Sequence, residues 1–284
     1  TREDVVNQKN KYGYARATAI KIGSWDSSNS KFIPVKWMPV INSLVYLKEP
    51  EEIIPNTDAI GHFPKTNFHV KIGNIHELVT HNTAILGILG IGKSMLSIEL
   101  VERMIASKIK VIVIDLTNQY ADALADFLDN NWISRSLERI AEAGKKDQDI
   151  YNDNPSKGGS VNFFLEALEH DIFDFVHNDQ CHYLKIYNPA QFFATKQITD
   201  PKSYKEGDEW KRAAALWQLT PVEVTSLISE SVLKCVQDKM TNTARVCLVF
   251  EEAHSLIPER TSVADEGDKA ATNRTSRAIL QGRK

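Results

Sequence analysis

The sequence predicts an α/β protein: a parallel sheet with helices on both faces, preceded by a small β-rich segment. Three observations carry this. Apolar runs such as Val111 to Asp115 and Val246 to Phe250 alternate with stretches of helical periodicity, and strands that are apolar throughout belong to sheets covered on both faces. A glycine-rich run, Gly87 to Gly92, lies between the apolar run Ala84-Ile85-Leu86 and a helix-periodic segment. The first 77 residues hold instead short β-like runs separated by turn-forming residues.

Composition narrows the class. The chain has 284 residues, 42% hydrophobic and 25% charged, with a net charge of −3, the profile of an ordinary soluble, cytoplasmic protein. No global basic signature exists, so nucleic-acid contact must come from a local patch or from several assembled subunits. Cys181, Cys235 and Cys247 are odd in number and form no zinc spacing; free thiols in a reducing compartment are expected. No apolar run reaches membrane-span length, and no signal peptide opens the chain. The chain opens on Thr1 and stops at Lys284 inside a motif, so it is expected to be part of something longer.

In chain order, Tyr14–Ile22, Lys31–Val35, Ser43–Leu47 and Phe68–Ile72 are candidate strands, with turns at 23–30 and 39–42 and a loop at 49–64. Residues 1–77 are read as a small β-barrel, and 78–284 as the α/β core. His62, His69, His76 and His81 lack metal-site regularity. Within the core, Leu96, Leu100, Val101 and Met104 share a helical face between Met95 and Lys108. Val111–Asp115 is a strand; 121–128 and 132–143 are helical; 144–160, with three glycines and a proline, reads as an exposed loop. Asn162–His177 is a helix burying Phe164, Leu168 and Phe175, and His182–Tyr187 a strand. Residues 194–208 are polar, and 129–215 as a whole reads as a helical insertion. Thr220-Pro-Val-Glu223 carries a capping box and proline in the first turn, predicting a helix to Met240 with Leu227, Ile228, Val232 and Val236 inward. Val246–Phe250 is a fourth core strand, after Ala84–Leu86, Val111–Asp115 and His182–Tyr187, and Ser276 onward is a helix stopped by Gly282.

Gly87 to Ser94 spell G-x-x-x-x-G-K-S, the phosphate-binding loop. Glycines at 87, 90 and 92 let the backbone wrap a polyphosphate with its N–H groups inward. The helix that follows presents unpaired N–H groups and a favourable dipole. On this reading Gly87, Gly90, Ile91, Gly92, Lys93, Ser94 and Met95 bind ATP. Lys93 reaches the β- and γ-phosphates, and Ser94 places a hydroxyl on Mg²⁺. A chance match in a chain this long has roughly one chance in a hundred, and the strand-and-helix context lowers it further.

Cys247-Leu-Val-Phe-Glu251-Glu252-Ala-His254 supplies what that loop requires, an apolar strand ending in two acids. Glu251 is expected in the Mg²⁺ shell, where an aspartate is more usual. Glu252 is expected to orient or deprotonate the attacking water. Arg283 and Lys284 either complement a helix dipole or meet nucleotide.

Together these residues resemble the HerA family of hexameric DNA-translocating ATPases, within the wider HerA–FtsK group. The resemblance rests on a β-rich segment ahead of His81-Asn-Thr-Ala-Ile-Leu-Gly87 and the phosphate loop. It continues through Asp115-Leu-Thr-Asn-Gln-Tyr120, similar to the family's Asp-Pro-x-Gly-Glu-Tyr element, then Glu251-Glu-Ala-His254 with Leu256-Ile-Pro258, then Gly282-Arg-Lys284. Gln119 stands where the family has glutamate, and Ile91 replaces a small residue. The resemblance implies a RecA-like core, an N-terminal HAS-like barrel, a ring of six, and DNA threaded through the pore. It also implies ATP between subunits, with Arg283, or Arg260, Arg274 or Arg277, acting across the interface. Bacterial relatives work with nucleases or a sirtuin-like NADase in DNA processing or antiphage defence. Lys145, Lys146 and Lys157 are candidate DNA contacts. The competing expectation is an oligomeric scaffold that uses nucleotide to switch a partner effector without processive translocation.

Overall fold

The computed structural model describes residues 23–29, 31–36, 40–41, 52–63, 66–88, 90–153, 161–177, 182–199, 214–237, 246–262 and 265–282. The chain divides into two compact units, Thr1–Gly73 and Asn74–Lys284.

In the first unit β1 (Ser24–Asp26) pairs antiparallel with β2 (Lys31–Ile33), and β3 (Ala59–His62) with β4 (His69–Lys71). Asp26 turns the first ribbon: its carboxylate accepts the N–H groups of Ser28 and Asn29. Trp25 ties the ribbons together, with Phe32 and Phe63 edge-on at 5.1 and 5.3 Å and Phe68 stacked at 5.3 Å. Two expectations are corrected. Ser24–Asp26 is a strand where a turn was expected, and Ala59–His62 a strand where a loop was. A register shift between Ala59 and Gly61 absorbs the glycine that made this stretch look loop-like. The expected strands at 14–22 and 43–47 lie outside the described residues.

The second unit runs α1 (Ile75–Leu78), α2 (Lys93–Ala106), β5 (Lys110–Ile114), α3 (Gln119–Ala123), a 3₁₀ turn (Ala125–Phe127), α4 (Asn130–Asp153), α5 (Asn162–His177) and β6 (Leu184–Tyr187). It continues through β7 (Thr195–Thr199), β8 (Ala214–Gln218), α6 (Pro221–Gln237), β9 (Val246–Phe250), α7 (Ala253–Leu256) and α8 (Glu266–Gln281). The sheet order is β6-β5-β9, all parallel. This three-stranded parallel sheet flanked by helices fits a RecA-like α/β fold.

β5 is central and wholly buried. Alternation sorts its side chains. Ile112 and Ile114 join Leu168, Ile172 and Phe175 of α5 and Ile228 and Val232 of α6 in one core. Val111 and Val113 point to the other face, where α2 packs on β5 with Leu100, Val101 and Met104 buried. Each such side chain contributes about 1.5–3 kcal/mol by leaving water. α6 starts as its sequence dictates: Glu223 N–H donates to Thr220 Oγ1 at 3.1 Å, and Thr220 N–H to Glu223 Oε2 at 3.0 Å.

The middle of the chain departs from expectation. Residues 144–153 are helix, not loop. A Cβ on Gly144 would stand 2.0 Å from the Phe193 carbonyl oxygen, so glycine here admits a close backbone approach and does not break the helix. Asp147 then caps the next helix, accepting the N–H groups of Phe163 and Phe164 at 3.2 and 2.8 Å. Nor is 129–215 purely helical: it contributes β6 to the main sheet, and β7, which pairs antiparallel with β8. The polar residues after 194 are therefore partly strand.

Ala84-Ile85-Leu86 forms no strand. Residues 82–88 run outside any sheet, with Leu86 90% and Ile88 78% exposed. A parallel strand needs paired backbone and two covered faces, and among the described residues none pairs with the outer edge of β9.

Below β6 lies a buried ionic cluster. Lys185 of β6 pairs with Asp171 of α5 and donates to Ser136 Oγ of α4 at 2.8 Å, while its amine sits 4.1 Å from the Trp132 ring centroid. Tyr187 donates to Asp171 Oδ2 at 2.6 Å, Ser136 donates to Oδ1, and Arg139 stands 3.5 Å away. Burial lowers Lys185 to about 8, with Asp171 opposing; burial and Asp171 together raise Tyr187.

Candidate nucleotide site

The phosphate loop takes the conformation its glycines permit. Gly90 and Gly92 have φ of +79° and +93°, a region L side chains rarely enter. A Cβ on Gly87 would meet Ile91 Cγ2 at 2.7 Å, so the bulk of Ile91 is accommodated by the absence of a side chain there. Gly92 is the N-cap of α2 and gives no side-chain cap bond, so the first N–H groups of the helix stay available for an anion. Lys93 folds back across the loop, its Nζ donating to Ile88 O at 3.2 Å. Ile91 and Met95 carry apolar, exposed side chains, so what they can offer a phosphate is their backbone N–H groups.

The two motifs meet. Glu251 N–H donates to Ile114 O at 3.0 Å, extending the β5–β9 ladder by one residue. Its Oε1 accepts the Ser94 hydroxyl at 3.1 Å, across 157 residues of sequence. Strands running parallel deliver Asp115 and Glu251 to one carboxyl edge, where open α/β sheets bind ligands. Glu252, next in line, has φ +48° and ψ +49°. Non-glycine residues are costly in that region and cluster at functional sites. Its half-exposed carboxylate meets His254 Nδ1 at 3.2 Å.

These residues fit a magnesium ion. A hydroxyl that donates to a carboxylate keeps its lone pairs for a cation. Mg²⁺ retains several waters and takes one or two carboxylates together with substrate phosphates. A site of that kind needs no cluster of three or more His, Cys, Asp or Glu side chains, and none occurs among the described residues.

Of the other expected residues, Arg274 and Arg277 both turn to Glu230 of α6, at 3.9 and 3.6 Å. Arg260 opens a short 3₁₀ turn. Arg283, Lys284 and Lys157 lie outside the described residues. Lys145 and Lys146 sit on α4, not on a loop, and Lys146 covers the Phe163 ring at 4.0 Å, which corrects the expectation of loop contacts. Cys235 Sγ lies 3.7 Å from His177 Nε2, and burial pushes the free Cys247 thiol up to about 11.

The Asp115–Tyr120 element shapes the turn that follows β5. Asp115 Oδ1 accepts both the N–H and the hydroxyl of Thr117, at 2.8 and 2.7 Å, and Oδ2 the N–H of Tyr120 at 2.9 Å. This turns the chain from β5 into α3 and buries Tyr120 completely. The Tyr120 hydroxyl closes no well-formed hydrogen bond, and a buried group left so costs about 1–3 kcal/mol. Burial raises its pKa, and the neighbouring Ser97 and Glu251 act on the same phenol, the serine lowering it and the glutamate raising it.

The family model described as "Helicase HerA, central domain" matches residues 58–263. No curated protein and no solved structure matches the chain. The match spans both chemical motifs and well over half of the chain, and the chain belongs to the helicase HerA central-domain family.

Proposed function

We propose that this chain is an ATP-driven DNA translocase of the HerA type, working as a ring of six with a nuclease or sirtuin-like NADase effector. The observation that carries the ATPase part is the hydrogen bond from Ser94 to Glu251, which joins the phosphate loop to the acidic strand end. Gly87 and Gly90 to Met95 hold the triphosphate through backbone N–H groups, with Lys93 neutralising its terminal charge. Ser94 and Glu251 would hold Mg²⁺, which would supply charge compensation while the terminal phosphoryl passes to water and ADP departs. Glu252 takes a proton from, or aligns, the attacking water. Arg283 is the leading candidate for an arginine contributed across the subunit interface. The β-rich first unit is assigned to a HAS-like barrel, and DNA phosphates to basic groups assembled in the ring.

The test is ATP hydrolysis with and without duplex DNA, measured alongside particle mass, on wild type and Lys93→Ala. Hydrolysis stimulated by DNA in a six-subunit particle, and lost in Lys93→Ala, supports the motor. Hydrolysis indifferent to DNA, with partner activation lost in Lys93→Ala, replaces it with a nucleotide-switched scaffold. Unchanged hydrolysis in Lys93→Ala overturns both.

A further inference from the structure

Tyr120 is a fully buried side chain whose hydroxyl closes no well-formed hydrogen bond; the other buried hydroxyls of that kind among the described residues, Thr225, Ser231, Thr272 and Thr275, lie on α6 and α8, away from the sheet's carboxyl edge. Native proteins rarely keep such a group without using it. Its position is not loose: Asp115, leaving β5, holds the Tyr120 backbone N–H at 2.9 Å. The phenol is thereby presented from the central strand toward Ser97 of α2 and toward Glu251. Glu251, in turn, carries one more rotatable bond than the aspartate usual at this place. The Ser94 hydroxyl fixes its Oε1 at 3.1 Å, but a single donor leaves the carboxylate free to swing about its last bond. A second donor on the same carboxylate removes that freedom, as second-shell partners do for metal ligands generally.

We propose that Tyr120 is a positioning residue for Glu251, closing its phenolic O–H onto the carboxylate when the divalent cation binds with nucleotide. The longer acid and the buried tyrosine then form one device, in which each makes sense of the other. The inference rests on the reading of Glu251 as part of the cation shell.

The experiment uses the full chain and Mn²⁺ as the probe. Mn²⁺ is titrated in the presence of a non-hydrolysable ATP analogue and bound metal is followed by electron paramagnetic resonance; urea midpoints are taken in parallel. Tyr120→Phe keeps the ring and removes only the hydroxyl. Its apparent Mn²⁺ affinity is expected to fall about 10-fold, with metal-free nucleotide binding and the urea midpoint unchanged or the midpoint slightly higher. In a Glu251→Asp background the same change is expected to add nothing, because the shorter side chain does not reach the phenol. Unchanged Mn²⁺ affinity in Tyr120→Phe overturns the proposal, with or without a lowered urea midpoint. An equal loss in both backgrounds overturns it as well. Wild-type protein that binds the analogue with no dependence on Mn²⁺ sinks the assignment of Glu251 itself, a failure visible before any variant is made.

Discussion

Two polar clusters flank the central strand of the sheet, and they are built to opposite specifications. On the β6 side, Asp171 is met by Lys185, Ser136, Tyr187 and Arg139, and Lys185 and Asp171 are each only 1% exposed. On the β9 side, Glu251 has one clear donor in Ser94, a neighbouring tyrosine hydroxyl that closes no well-formed hydrogen bond, and a strained glutamate next to it. The Ser136–Lys185 contact would pass for a nucleophile and its base in a list of distances. Its burial, and the absence of slack around Asp171, mark it as a structural network. Unfilled bonding capacity also occurs at Thr225, Ser231, Thr272 and Thr275; what sets the β9 side apart is that it coincides there with a glycine loop and a strained acid at the sheet's carboxyl edge.

The sharpest way to break this contrast is Glu252→Gln. Turnover is expected to fall at least about 100-fold, with nucleotide binding and urea midpoint retained; normal turnover measured by phosphate release would place the base elsewhere. Asp171→Ala should do the reverse. Leaving Lys185 buried without its counter-charge costs about 3–5 kcal/mol, read as a drop in the urea unfolding free energy, while turnover per folded molecule stays the same.

A third test uses pH. Folded Lys185 releases its proton at about 8, below its ordinary 10.5, so between those values the unfolded chain binds more protons. Stability therefore rises with pH across that window, the penalty being fully present below it. Cys247 acts in the opposite sense. Its thiol is raised from 9.0 to about 11 in the fold, so the unfolded chain ionises first and stability is lost as pH rises. The difference between wild type and Lys185→Met isolates the lysine: the variant should lose the rising component of the urea midpoint. Parallel curves would mean that Lys185 is not what titrates. The smallest effect expected is Thr220→Ala, which removes one half of the α6 capping box and should cost about 1 kcal/mol in urea; a loss of more than twice that would tie Thr220 to the Asp268 contact as well.

Much of the core was legible because its code is local. β5, β9 and α5 fall within a residue of their expected ends, and the α6 start follows from four residues whose side chains and backbone bond one another. The Ser94–Glu251 meeting was legible for a different reason: the two motifs make chemical sense only together. What failed depended on distant partners. Gly144 reads as a breaker until the Phe193 carbonyl is placed against it. Most of α8 was missed because its buried face is Ala271, Thr272, Thr275 and Ala278, small and hydroxylic residues that leave no apolar stripe. Ala84–Leu86 was read as a strand from its composition, but composition cannot supply a neighbour to pair with. Tyr120 carries no visible role in the sequence because an unsatisfied hydroxyl is a property of three dimensions.

The edge of β9 that no described strand pairs with has a practical bearing on how this molecule behaves in the tube. Val-Cys-Leu-Val-Phe carries no charge and no proline, the kind of window that pairs with copies of itself once exposed. Heating will expose it in many molecules at once, and precipitation will outrun refolding. Calorimetric midpoints for this chain will therefore shift with scan rate and concentration, and chemical denaturation at low protein concentration is the route to its equilibrium energetics.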